Sequence, residues 1–165
     1  MKKIIICLFA TLIYGSVGFA QFKGNTLTEE EYYAIKINDI LIGDIIDTRG
    51  DFSKLKLMFG NDLQYKTYDK SFEVVEYWNN NIIVRFEEED KTLTYVKLHY
   101  PITLTIKGKR IKIGDDVSAL GLVKVDTSNG EYSIYFNDEE TLTASFTIEV
   151  NPSTKKITKI YYILF

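Results

Sequence analysis

Hydrophobic and polar residues alternate with two different periods along the chain. Leu55, Met58 and Phe59 recur at the spacing of one helix face. Asp51 or Ser53 before them can cap a helix, and Gly60 after them can end one. From residue 72 onward the period becomes two, which is typical of half-buried strands. The pattern therefore predicts a short helix followed by antiparallel strands.

Turn-forming residues separate the predicted strands. The strands are predicted at residues 72–78, 82–87, 92–100, 102–106, 110–113, 132–136, 141–150 and 156–164. Runs such as Asn79–Asn81 and Asn151-Pro152 between them favour turns. A capping box at residues 28–31 predicts an earlier helix, and Asp115 or Asp116 is expected to cap a later one.

Two stretches of the chain repeat one pattern. Residues 35–46 recur as residues 106–117 at an offset of 71, and residues 91–96 recur as residues 155–160 at an offset of 64. Because both landmarks occur in the same order, the pattern favours an α+β fold of two tandem units. Each unit is expected to be a short helix packed on one face of an antiparallel β-meander. Chance similarity between strand-rich segments is the alternative.

The N-terminus has the pattern of a secretory signal peptide. Two lysines precede an apolar run that ends at Tyr14, and Gly18 and Ala20 offer a small-residue cleavage site. An uncleaved membrane anchor is the alternative, but the run is shorter than the roughly 20 residues that cross a bilayer. We therefore expect a secreted or periplasmic protein with no membrane span after cleavage.

These patterns together predict the organisation of the chain. The segments are residues 1–20 as signal peptide, 21–33 as an N-terminal segment with a short helix, 34–100 as the first α+β repeat and 101–165 as the second.

Composition and charge exclude several classes of protein. The 165 residues are 45% hydrophobic and 14% aromatic, which excludes a disordered chain. The net charge of −3 argues against nucleic-acid binding, because that requires a surplus of basic residues on one face. The one cysteine, Cys7, lies in the predicted signal peptide, so we expect a mature chain without disulfides or thiol chemistry.

Alternation assigns the two faces of the predicted sheet. The more apolar register, which includes Val96, Leu98 and Tyr100, is expected to face the helices. The opposite register carries tyrosine and basic residues, which anchor many protein interfaces. The candidate protein-binding residues on it are Arg85, Tyr95, Lys97, His99, Tyr135 and Tyr161. An ordinary solvated sheet face is the alternative.

Three features resemble the repeat of a known group of proteins: the Ile-x-Ile-Gly-Asp opening at residues 40–44, the helix closed by Phe59-Gly60, and the meander that contains residues 91–96. They resemble small secreted α+β proteins, namely β-lactamase-inhibitor-protein-like tandem repeats and small lipoproteins of outer-membrane β-barrel assembly. The resemblance implies helices on one sheet face and a protein partner on the other. The chain departs from it by lacking a lipobox cysteine and by the Gly121 that interrupts the second helix. The composition resembles that of exported Bacteroidetes proteins.

The sequence offers little catalytic chemistry. His99 is the sole histidine, and no Gly-x-Ser-x-Gly motif presents a serine nucleophile. The acidic runs at residues 87–90 and 138–140 suggest calcium, but they lack the ligand spacing of a calcium loop. Gly43 and Asp44 are expected to end a strand, and the repeated Asp44 and Asp115 are expected to cap helices. We therefore predict no catalytic residue, metal or cofactor.

The sequence favours a non-catalytic module, inhibitor-like or immunity-like, that binds a protein partner through the exposed sheet face. A structural accessory protein of the bacterial cell envelope is one alternative. A carboxylate-based hydrolase of unfamiliar type is the other.

Overall fold

A computed structural model describes residues 25–68, 73–122, 130–138 and 141–165. The predicted signal peptide and residues 139–140 of the second acidic run lie outside the described residues. The α-helices are α1 (Glu29–Tyr33), α2 (Ile42–Asp47) and α3 (Phe52–Phe59). The strands are β1 (Thr26–Leu27), β2 (Lys36–Ile37), β3 (Ile40–Leu41), β4 (Gln64–Thr67), β5 (Val74–Trp78), β6 (Ile82–Glu87), β7 (Leu93–Leu98), β8 (Thr103–Ile106), β9 (Lys109–Lys112), β10 (Glu131–Asp138), β11 (Thr141–Val150) and β12 (Ile157–Leu164).

The fold is mixed α+β and rich in antiparallel strands. Eight strands form one sheet in the order β1-β10-β11-β12-β7-β6-β5-β4, and only β1 pairs in parallel. The strands β5–β7 form a first meander and β10–β12 form a second one. The two meanders join where β7 pairs with β12. A separate sheet of four strands has the order β3-β2-β8-β9.

Side-chain caps explain where two of the helices begin. Of the two predicted caps, Asp51 starts α3 by accepting a hydrogen bond from the Lys54 N–H at 3.0 Å, and the helix ends at Gly60 as predicted. Thr28 and Glu31 form the predicted capping box of α1. No helix in the described part of the chain is long and apolar enough to cross a membrane.

The structure corrects the predictions for Gly43 and Asp44. Gly43 and Asp44 do not end a strand, because both lie in the first turn of α2, whose cap position is Leu41. The predicted cap role of Asp44 is therefore wrong. The short helix predicted after Asp115 or Asp116 is present as a 3-10 helix, Val117–Leu120. Asp116 caps it by accepting from the Ser118 N–H at 2.9 Å.

One core is formed by buried side chains of the eight-stranded sheet, the helices and the four-stranded sheet. The apolar register is buried there as predicted, for example at Val96 and Tyr162. Tyr32 of α1 stacks on Phe136 with ring centroids 4.1 Å apart, and its hydroxyl lies 2.9 Å from that of Tyr162. The prediction for Tyr100 is wrong, because β7 ends before it and its side chain is 63% exposed.

Candidate functional site

The two meanders place most of the candidate residues on one face of the large sheet. Arg85 of β6 lies opposite Tyr95 of β7, and Lys97 of β7 lies opposite Tyr161 of β12. Successive residues of a strand point to opposite faces, and the neighbours of these four, such as Val96, are buried beneath the helices. We call the face that carries Arg85, Tyr95, Lys97 and Tyr161 the outer face.

Tyr135 and His99 lie farther from this group. Tyr135 shares the outer face but is three strands away from Tyr95, which corresponds to about 14 Å. His99 follows the end of β7, and its N–H donates to the Asn81 carbonyl at 2.8 Å. Burial, followed by the charge of Lys97, lowers the pKa of His99. The structure therefore brings five of the six candidates to one face without gathering them at one point, and His99 lies just beyond the end of β7.

A fixed guanidinium lies near the middle of the first meander. The Arg85 Nε donates to Glu76 Oε2 at 2.6 Å, and the Tyr68 hydroxyl donates to Glu76 Oε1 at 3.0 Å. The Glu76 side chain is only 11% exposed, whereas that of Arg85 is 43% exposed. The guanidinium carbon lies 4.8 Å from the centroid of the Tyr95 ring, within cation–π range. These contacts hold the charge of Arg85 in place at the surface.

A groove of about 510 Å³ opens beside this guanidinium on the outer face. Its lining includes Tyr68, Val74, Arg85, Glu87, Tyr95 and Ile163. The groove spans both meanders, because Ile163 belongs to β12 and lies opposite Tyr95. Of the six candidates, Arg85 and Tyr95 line this groove.

The tyrosines next to the groove are neutral hydrogen-bonding groups. The rings of Tyr95 and Tyr161 lie 6.4 Å apart between centroids. Burial raises the pKa of both phenols, so both keep their protons at neutral pH. Beyond Tyr161, Lys159 forms an ion pair with Glu149 at 2.7 Å, and this hydrogen bond raises the pKa of Lys159.

Two of the acidic residues that were considered for other roles, Asp90 and Asp115, make hydrogen bonds within turns. Asp90 Oδ1 accepts from the Thr92 N–H at 2.8 Å in the turn after β6, and hydrogen bonds to Thr92 lower the pKa of Asp90. The predicted cap role of Asp115 is wrong, because its Oδ2 accepts from the Lys112 N–H at 3.0 Å and Asp116 is the cap of the short helix. Within the described residues, no three His, Cys, Asp or Glu side chains come together as metal ligands.

Sequence reasoning missed Glu76, which holds Arg85, and Tyr68, which donates a hydrogen bond to Glu76. A signal for Glu76 was present only if the turn is confined to residues 80–81, because counting outward from those two residues pairs Glu76 with Arg85 across the hairpin. Tyr68 gave no comparable signal, since it follows β4, a strand whose residues are all exposed and show no apolar alternation.

Comparisons of the chain with protein-family models, with curated proteins and with solved structures found no match.

Proposed function

We propose that this protein is a non-catalytic binding module that recognises another protein through the outer face. The groove beside Arg85 supports the proposal, because it combines a fixed cation with aromatic and aliphatic walls on the side of the sheet away from the helices. Pockets that bind ligands commonly have this composition of apolar lining with a few fixed polar groups.

The residues of the outer face suit protein recognition energetically. Tyr95 and Tyr161 offer large contact areas with a polar end, and tyrosine loses little conformational entropy on binding. Arg85 is already held by Glu76 and Tyr95, so little side-chain entropy remains to be lost when a partner binds.

We also propose that the chain consists of two tandem units. At the offset of 64, Lys97 is equivalent to Tyr161, and these two residues lie opposite each other where the meanders join. Equivalent residues pair in this way when an approximate two-fold axis relates two units. The strand bulges are equivalent as well, since the register shifts after Arg85 in one meander and after Glu149 in the other.

The turns before the last strands give independent support to this duplication. Lys91 has a φ of 63° and Lys155, its equivalent at the same offset, has a φ of 59°. Few residues other than glycine adopt positive φ values, so a positive φ at two equivalent lysines supports the duplication. On this proposal the duplication doubled the width of the outer face.

Export is part of the proposed function. The pattern at residues 1–20 supports a secreted or periplasmic location. Sequencing the N-terminus of the chain isolated from its own cells tests this, with Gln21 as the expected first residue. A chain that retains Met1 and stays in the cytoplasm would contradict export.

Capture of a partner with tyrosine variants tests the binding function. We expect Tyr95→Ala with Tyr161→Ala to fold and to retain much less partner after affinity purification from the native cells. The matched control is Tyr33→Ala with Tyr65→Ala, because these two tyrosines are 51% and 56% exposed and lie away from the outer face. Equal loss in both double variants, or no loss in the first, would overturn the proposed surface.

A further inference from the structure

We infer that the groove beside Arg85 accepts an extended segment of the protein partner that carries an acidic and a basic side chain two positions apart. This inference rests on the proposed function and specifies what the outer face recognises. The acidic side chain is placed against Arg85 and the basic one against Glu87.

Arg85 supplies the site for the acidic group. Among the described residues its one ion pair uses Nε, and Glu76 is the partner. The terminal nitrogens of the guanidinium therefore have no acidic partner there, and the side chain lines the groove while 43% exposed. A guanidinium binds a carboxylate through two parallel hydrogen bonds when it is held in a fixed plane. Contacts with Glu76 and the Tyr95 ring hold it in this way.

Glu87 sets the requirement for a second charge. It lies two residues after Arg85 on β6, so the two side chains share the outer face about 7 Å apart. Glu87 is exposed and lines the groove opposite Val74. A ligand with acidic groups alone meets repulsion from Glu87, whereas a ligand with both charges satisfies both residues.

The spacing of these charges matches an extended peptide. Side chains at positions i and i+2 of an extended chain point the same way and lie at the same separation as those of Arg85 and Glu87. The groove volume of about 510 Å³ is in the range of ligand sites, and Val74 and Ile163 supply apolar contact for the peptide.

The second meander lacks an equivalent site. At the offset of 64, Glu149 and Lys159 stand where Arg85 and Tyr95 stand in the first meander. They form an ion pair with each other at 2.7 Å, so each charge already has a partner. The inferred site therefore belongs to the first meander, and the Glu149–Lys159 pair offers a matched control.

Titration with synthetic peptides tests the inference directly. The probe is acetyl-Thr-Glu-Thr-Lys-Thr-amide added to the isotope-labelled chain, with binding followed by nuclear magnetic resonance shifts. Peptides with two Glu, two Lys or two Gln at the charged positions are the comparisons. We expect the Glu/Lys peptide to bind about tenfold more tightly than any other and to shift the signals of Tyr95 and Ile163. Equal affinities, or shifts centred elsewhere, would overturn the inference.

Variants distinguish this inference from the proposed function. The double change Glu76→Gln with Arg85→Gln leaves no unpaired buried carboxylate, and we expect it to abolish the preference for the Glu/Lys peptide. The control double change Glu149→Gln with Lys159→Gln is expected to retain that preference. The exposed change Glu87→Lys is expected to shift the preference to the peptide with two Glu. If the Glu76/Arg85 variant still captures the natural partner, and that capture depends on Tyr161, the groove inference fails while the binding function stands.

Discussion

Removing the charge of Arg85 is expected to lower the free energy of unfolding. The size of the loss follows from how deeply Glu76 and Arg85 are buried. Arg85→Gln leaves the Glu76 carboxylate, 11% exposed, with the Tyr68 hydroxyl as its remaining partner. Exposed ion pairs contribute about 0.2–1 kcal/mol, and breaking a buried pair costs about 3–5 kcal/mol. Because Arg85 itself is 43% exposed, we expect the free energy of unfolding to fall by about 1–2 kcal/mol.

Urea denaturation measures this change and a double-mutant cycle isolates the pair. Glu76→Gln combined with Arg85→Gln is expected to be more stable than Arg85→Gln alone, because a neutral amide needs no counter-charge. Lys159→Gln is the control, since its ion pair with Glu149 is more exposed and its loss is expected to cost less than about 1 kcal/mol.

Two results would refute the reasoning about Arg85. One is a denaturation midpoint for Arg85→Gln that moves no farther than that of the Lys159→Gln control. The other is a double variant less stable than Arg85→Gln. Either result would mean that Glu76 does not depend on the guanidinium and that the groove is not preorganised by this pair.

Three further predictions concern the packing. Tyr162→Phe is expected to lower the free energy of unfolding by about 1 kcal/mol in urea denaturation, because the buried Tyr32 hydroxyl loses its partner; no change would contradict the contact. Burial raises the pKa of Tyr162 and of Tyr32, so stability is expected to hold up to about pH 10 and to fall above it, where only the unfolded chain ionises. Gly130→Ala is expected to cost about 2 kcal/mol or more in thermal denaturation, because φ is 75° and a Cβ atom would lie 2.7 Å from the Val150 carbonyl oxygen; an unchanged melting temperature would contradict it.

Elements governed by local patterns were predictable from the sequence. The strand limits 82–87 and 141–150 agree with β6 and β11, because alternation and flanking turn residues both act over a few positions. The start of α3 at Asp51 and its end at Gly60 follow from capping chemistry in the same way.

Elements that depend on distant partners were not predictable. β4 contains only exposed residues, and its place at the sheet edge comes from pairing with β5 rather than from its own pattern. Gly43 and Asp44 read as a strand end followed by a turn, yet both lie in α2, whose start at Leu41 has no side-chain cap to mark it. At Gly43 and Asp44 the surrounding packing outweighs the weak local sequence preference.

The sequence predicted which candidate residues share a face of the sheet, but it did not predict the groove. Alternation within β7 and β12 placed Tyr95, Lys97 and Tyr161 together, because the side-chain period of a strand is two. The groove depends on Ile163 lying opposite Tyr95, a contact between two meanders far apart in sequence. No local pattern encodes that contact.

Cross-linking inside the native cells tests the binding surface most directly. A photoreactive amino acid replaces Tyr161 in one variant and Leu57 in another, since Leu57 lies on α3 and is 89% exposed. We expect the probe at Tyr161 to join the chain to a distinct protein and the probe at Leu57 to give none of that product. Labelling of the same protein from both positions, or from Leu57 alone, would contradict recognition through the outer face.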